Sequence, residues 1–147
     1  MRVGVWWGKF DVFHIGHLNS FEYCKQHCDY LVVGVASDDY CSREKSYGNK
    51  TVKGRQPLFD QESRQRIVDG LTIVDSTYIY EKSCPFDLAT GLIKNGQPVS
   101  VVFLNGELEG TDTYNEALRY LEDWDIEYVY VPRTPNISST YIKESGK

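Results

Sequence analysis

The sequence predicts one α/β domain, a Rossmann-like doubly wound fold built on a five-stranded parallel sheet. Three observations predict it. Apolar runs alternate with helix-like segments along the chain. The run Tyr30 to Ala36 (YLVVGVA) is nearly all apolar, as expected of a strand covered on both faces. A length of 147 residues suits a single core with no room for a second, so residues 1–147 are read as one domain.

The elements follow in order. Val3 to Trp7 reads as a buried first strand, followed by a Gly8-centred loop. A helix is expected from Ile15 to His27, with Leu18, Phe21, Cys24 and Cys28 facing inward. Asp38 to Pro57 shows no usable period and is rich in Ser, Lys, Arg, Gly and Asn, so a long mobile loop is expected there. Asp60 is a good N-cap for the next helix, where Ile67, Val68 and Leu71 recur at helical spacing. Thr77 to Tyr80 is a short strand. Pro85 opens a helix that ends near Lys94, before Asn95-Gly96. Val99 to Leu104 is a strand, Tyr114, Ala117, Leu118 and Leu121 mark an amphipathic helix, and Tyr128 to Val131 is the last strand. Ser138 caps a short terminal helix.

Composition narrows the function. A formal net charge of −5 argues against a duplex nucleic-acid binder, which needs a basic face, but leaves room for a local cluster that holds a polyphosphate. No apolar run approaches the roughly 20 residues of a membrane-spanning helix, and Met1 to Gly8 is too short and mixed for a signal peptide. Cys24, Cys28, Cys41 and Cys84 form no CxxC pair, so they read as reduced thiols in a cytoplasmic protein. His27 lies between Cys24 and Cys28 but points to another side of the helix, which argues against a metal site.

The informative stretch is Gly8-Lys9-Phe10-Asp11-Val12-Phe13-His14-Ile15-Gly16-His17. It follows a strand and opens a helix, where ligands bind at the carboxyl edge of such sheets. His14 and His17 are three residues apart, so both rings face one side of the first turn. Free backbone N–H groups and the positive end of the helix dipole point the same way. Gly8 allows the main chain to approach a ligand, and Gly16 keeps a side chain from standing between the imidazoles. Such imidazoles, neutral or protonated, can donate to oxygens as charge builds on phosphorus. Two histidines near a helix start are more often surface or capping residues, but here a strand, a glycine turn, an Asp and the HxGH spacing coincide.

GKFDVFHIGH resembles the GxFDxxHxGH signature of the small cytidylyltransferases, whose compact bacterial form is the glycerol-3-phosphate type. Arg133-Thr134-Pro135-Asn136-Ile137-Ser138-Ser139-Thr140 is similar to that family's RTxGISTT segment. Lys53-Gly54, Pro57, Glu62-Ser63-Arg64 and Val74-Asp75 resemble its lysine loop and following helix. The resemblance implies that His14 and His17 contact the triphosphate and stabilise the transition state. Gly8, Lys9, Phe10, Asp11 and Gly16 would form the turn around the α-phosphate. Lys53 would reach the phosphates of both substrates. Arg133 would bind phosphate beside Thr134 and Ile137, and Ser138, Ser139 and Thr140 would hold the β- and γ-phosphates. Gly106 and Glu107 would stand near the ribose, and Asp38 and Arg64 near the acceptor. Read without the resemblance, Lys53 is a solvated loop lysine, Arg64 a helix-surface charge, Ser138 an N-cap, and Glu107 either a turn residue or a ribose contact.

The activity implied is transfer of CMP from CTP to a small phosphorylated alcohol such as glycerol 3-phosphate, with release of pyrophosphate. Mg²⁺ would arrive with the triphosphate, bound mainly by phosphate oxygens and water, without a dedicated protein cage. The resemblance also implies a homodimer. Three departures bear on this expectation. Lys9 stands where the family has a small residue, Pro135-Asn136 replaces an acidic residue and Gly, and Leu104-Asn105-Gly106-Glu107 only partly resembles the family's GDD. An ATP-dependent adenylyltransferase of the same superfamily, acting on a phosphorylated sugar or cofactor precursor, is the close rival. A non-catalytic nucleotide-binding regulator is a third reading. A class I aminoacyl-tRNA synthetase is excluded by the short acidic chain and the lack of a KMSKS-like lysine run.

Overall fold

In the computed structural model, which describes residues 1–82 and 84–135, five strands form one parallel sheet in the order β5-β2-β1-β6-β7. These are β1 (Val3–Gly8), β2 (Tyr30–Ala36), β5 (Ser76–Tyr80), β6 (Val101–Asn105) and β7 (Glu127–Val131). The helices between them are α1 (Ile15–Lys25), α2 (Asp38–Ser42), α3 (Gln61–Asp69), α4 (Pro85–Lys94) and α5 (Asp112–Asp123). The expected α/β sheet is therefore present. The switch in strand order falls between β1 and β6, where such sheets leave a crevice at their carboxyl edge.

The apolar runs are explained by burial on both faces. Successive side chains of a strand point to opposite sides. Val3, Val5 and Trp7 of β1 join Val32, Val102 and Leu104 in one core with Leu88, Tyr114 and Leu121 from α4 and α5. Trp6, Leu31, Val33, Val101 and Phe103 join Phe21 and Cys24 of α1 and Val68 of α3 in the other. A strand sandwiched this way has no polar face to show.

The segment 38–57, expected to be a long mobile loop without regular structure, carries regular elements. It holds α2, then β3 (Lys45–Ser46) paired antiparallel with β4 (Thr51–Val52) in a small hairpin. Propensity missed it because the hairpin is held by contacts distant in sequence. Asn49 Oδ1 accepts from Asp112 N at 2.9 Å, Thr113 N donates to the Tyr47 carbonyl at 3.0 Å, and Lys50 Nζ donates to the Glu107 carbonyl at 2.8 Å. Gly54 lies so close to α2 that a Cβ there would sit 2.2 Å from the Ser42 carbonyl oxygen.

Arg64 is not the helix-surface charge that an isolated arginine on α3 suggests. Its side chain has 0% exposure. Nε donates to the Phe59 carbonyl at 2.9 Å, one terminal nitrogen to the Lys9 carbonyl at 2.8 Å, and the other to Asp38 Oδ1 at 2.7 Å. One guanidinium thus ties the turn after β1 to the starts of α2 and α3. Helical spacing is a weaker guide nearby: Val68 is buried, whereas Ile67 is exposed, and Leu18 on α1 is only half-buried. Removing one partner of a buried pair leaves the others without compensation. Arg64→Ala should cost about 3–5 kcal/mol in urea unfolding, and Arg64→Lys should restore only part of it, because an ammonium lacks the planar fork.

Candidate active site

The turn between β1 and α1 is built under strain. Phe10 and Val12 have φ of 52° and 50°, in the left-handed region that a β-branched residue avoids. Each such residue costs on the order of 1–3 kcal/mol and persists only where its surroundings hold it. Asp11, between them, is 2% exposed. Its carboxylate accepts from Leu58 N at 2.9 Å and Phe59 N at 3.1 Å. The Phe10 ring packs edge-on against Phe21 and His17, with centroids at 4.9 and 5.4 Å. Asp11 therefore anchors the turn to the segment before α3.

The two imidazoles cap α1 reciprocally. His14 Nδ1 accepts from Gly16 N at 3.0 Å, and His17 Nδ1 accepts from His14 N at 3.2 Å. The rings stack with centroids 3.8 Å apart. A ring nitrogen that accepts a hydrogen bond carries no proton, so each neutral imidazole keeps its proton on Nε2. Burial lowers the pKa of His14, and it lowers that of His17 to about 4, with the neighbouring His14 adding to the effect. At neutral pH the pair presents two neutral Nε2–H donors. The start of α1 is also held to the sheet: Trp6 Nε1 donates to Ser20 Oγ at 3.2 Å, and Ser20 donates to the His17 carbonyl at 2.7 Å.

These groups face a cavity of about 640 Å³ at the carboxyl edge of the sheet. Trp6, Trp7 and Gly8 line it from β1, Lys9, Phe10 and Asp11 from the turn, and His14, Gly16, His17 and Ser20 from α1. Asn105, Gly106 and Glu107 enter from the end of β6, and Val131, Pro132, Arg133 and Thr134 from the end of β7. Arg55 completes the lining from the segment before α3. Arg133 is ion-paired with the Glu107 carboxylate, and Thr134 Oγ1 accepts from Asn19 Nδ2 at 3.0 Å. Asn105 Oδ1 accepts from Glu107 N at 3.0 Å, which shapes the turn after β6.

The site residues read from the sequence divide into three groups. Gly8, Lys9, Phe10, Asp11, His14, Gly16, His17, Gly106, Glu107, Arg133 and Thr134 meet at the cavity. Lys53 is exposed and does not line it, and Asp38 and Arg64 bond to each other beneath the turn. Ile137, Ser138, Ser139 and Thr140 lie outside the described residues. Arg55, Trp6, Trp7, Ser20 and Asn105 were not read from the sequence. Alternation along β1 places Trp7 and Trp6 in opposite cores, and nothing in the sequence says that both line one cavity.

No cluster of three or more His, Cys, Asp or Glu suited to a metal occurs among the described residues. The two carboxylates at the cavity are both engaged, Asp11 by backbone N–H groups and Glu107 by Arg133. Among the described residues no helix is long and apolar enough to cross a membrane.

A strained turn at a sheet's switch point, with histidine donors and cations facing one crevice, marks a nucleotide-binding protein of Rossmann-like fold. Comparison with known proteins gives the family. The cytidylyltransferase-like family model matches residues 5–145. The glycerol-3-phosphate cytidylyltransferase of Bacillus subtilis is 30% identical, over 98% of this chain and 96% of that protein. The bifunctional protein HldE of Hyphomonas neptunium is 30% identical over 63% of this chain, a match spanning only 18% of that longer protein. Among solved structures, a lipopolysaccharide core biosynthesis protein of Thermoplasma volcanium superposes with a TM-score of 0.66 at 23% identity. That match covers 91% of this chain and 98% of the other, and at this identity it speaks for the fold alone. The chain belongs to the cytidylyltransferase-like family of the nucleotidyltransferase superfamily.

The histidine geometry sets a pH dependence. An unfolded histidine titrates near 6.5 and folded His17 near 4, so the unfolded chain takes up the proton first. The stability this gives is complete above about pH 6.5 and is lost as pH falls towards 4. The urea midpoint of the wild type should therefore fall more steeply between pH 7 and 5 than that of His17→Asn. Equal slopes would contradict a buried neutral imidazole.

Proposed function

We propose that this protein transfers CMP from CTP to a small phosphorylated alcohol of the glycerol 3-phosphate class, releasing pyrophosphate. The observation that carries this reading is the stacked His14–His17 pair, its Nδ1 atoms tied to backbone and its Nε2–H groups left for a cavity shared with Arg133. Neutral donors held in place stabilise developing negative charge without having to reorganise. Similarity to the Bacillus subtilis protein along almost the whole of both chains supports the base and the acceptor class.

In this reading an oxygen of the acceptor's phosphate attacks the α-phosphorus of CTP in line. A P–O bond forms there, the bond to the bridging β-phosphate oxygen breaks, and pyrophosphate leaves with that electron pair. A phosphate monoester has a second pKa of about 6, so the nucleophile is already ionised and no general base is needed. Catalysis rests on positioning and charge stabilisation. The turn around Gly8 and Phe10 approaches the α-phosphate, His14 and His17 donate to its oxygens, and Arg133 exchanges Glu107 for phosphate. Ser138, Ser139 and Thr140 would add hydroxyl donors to the β- and γ-phosphates. Mg²⁺ arriving with the triphosphate would supply neutralisation of its phosphate charge. The reading includes a cytoplasmic homodimer.

One departure from the family pattern bears on the base and keeps ATP as the rival: Pro135-Asn136 replaces the acidic residue and glycine expected beside the nucleoside. A panel of four nucleoside triphosphates with Mg²⁺ against phosphorylated metabolites, read by pyrophosphate release, separates the two. Activity with CTP is expected. Activity with ATP alone would move the base assignment and keep the class, and no release from any pair would favour a regulator. With the active pair in hand, His17→Ala should lower kcat by about 10²–10³, the range seen when one such donor is removed, and the far-ultraviolet spectrum should be unchanged.

A further inference from the structure

The outer faces of α4 and α5 carry aromatic surface that the fold leaves uncovered. Tyr120 and Trp124 lie one turn apart, Trp124 at the C-cap of α5, and they are 43% and 47% exposed. Phe86, in the first turn of α4, stacks on Tyr120 with centroids 4.5 Å apart and meets Trp124 edge-on at 5.5 Å. The three rings make one patch across the two helices. A groove of about 530 Å³ runs beside it along one face of α5, lined by Asp112, Asn115, Glu116, Arg119, Tyr120 and Asp123. Large apolar side chains grouped at a surface and rimmed by polar ones mark interaction sites, where scattered ones do not.

The charges around the patch say what it accepts. α5 carries Asp112, Glu116, Glu122 and Asp123 against a single cation, Arg119. Glu122 and Asp123 stand in its last turn, where no basic residue offsets the negative end of the helix dipole. That placement works against the helix itself. Glu122 takes a hydrogen bond from the Tyr128 hydroxyl at 3.1 Å, whereas the Glu116 and Asp123 carboxylates have no ion-pair partner among the described residues. A cation brought from outside is favoured by the dipole, by these carboxylates and by the exposed rings of Tyr120 and Trp124. A second copy of the chain is not, because a two-fold contact sets the same carboxylates against each other. Nucleic acid and anionic membrane carry the wrong sign of charge.

We propose that the Phe86–Tyr120–Trp124 patch docks a basic segment of another protein, its arginine or lysine side chains lying over the rings and against Glu116 and Asp123. No residue of α4 or α5 lines the cavity at the histidine turn, so docking leaves that site open. The inference stands apart from the nucleotidyl-transfer reading.

Trp6 and Trp7 are buried, so Trp124 supplies the indole fluorescence that senses solvent. A short amphipathic peptide of arginine and leucine, titrated into the full chain, should shift that emission to the blue along a saturable curve. The same peptide with glutamate in place of arginine should not. Tyr120→Ala should raise Kd by about tenfold, and so should Glu116→Gln combined with Asp123→Asn, the scale of one aromatic or charge-assisted contact. Glu22→Gln with Glu62→Gln removes as much charge from exposed positions of α1 and α3, which pack on the opposite face of the sheet. That control should keep Kd within about twofold, because physiological salt screens charges farther than about 8 Å. Equal weakening by the two charge pairs would overturn the proposal, as would equal binding of the glutamate peptide or an emission that the arginine peptide leaves unmoved. In sedimentation velocity the wild type and Tyr120→Ala should have the same mass. A dimer that Tyr120→Ala dissociates would assign the patch to a second copy and overturn the basic partner.

Discussion

The fold brings its site together through one buried guanidinium. Arg64 has no contact with solvent, yet its three hydrogen bonds join the turn after β1, the start of α2 and the entry to α3. Burying that charge is tolerable because a carboxylate and two carbonyls surround it. The Asp11 carboxylate, bonded to Leu58 N and Phe59 N, adds a second tie between the same segments. Together they hold Phe10 and Val12 in conformations neither would adopt alone.

From that constraint the chemistry follows. A turn held open at the switch point leaves α1 to begin at His14, and the reciprocal caps turn both Nδ1 atoms to the backbone. The ordinary need of a helix start to satisfy its N–H groups is met by the same rings that carry the Nε2–H donors. Burial, and for His17 the charge of its neighbour His14, lower both pKa values and keep the pair neutral. Neutral donors at a helix N-terminus suit an incoming polyanion, since the helix dipole there favours negative charge.

The hairpin of β3 and β4 is tied to the end of β6 and the start of α5. Lys50 reaches the carbonyl of Glu107, whose carboxylate holds Arg133, and Asn49 caps the start of α5. The basic segment is thereby fitted across the edge of the sheet rather than left loose, and Arg55 arrives at the cavity at its end.

The sequence by itself determined the alternation of strands and helices, the parallel sheet and the turn carrying His14 and His17. Periodicity, caps and the HxGH spacing are local signals, and the segments around Asp60 and Pro85 were legible for the same reason. Tertiary structure decided what depends on partners distant along the chain. The hairpin within 38–57 became ordered through contacts to Glu107, Asp112 and Thr113, 57 to 66 positions away. Arg64 moved from an apparent surface charge to the buried junction, because its partners Lys9 and Asp38 meet only after β1 and β2 pair. Arg55, rather than Lys53, came to line the cavity by the same physical cause: a loop's direction is set by the packing of its ends, which no local pattern of residues encodes.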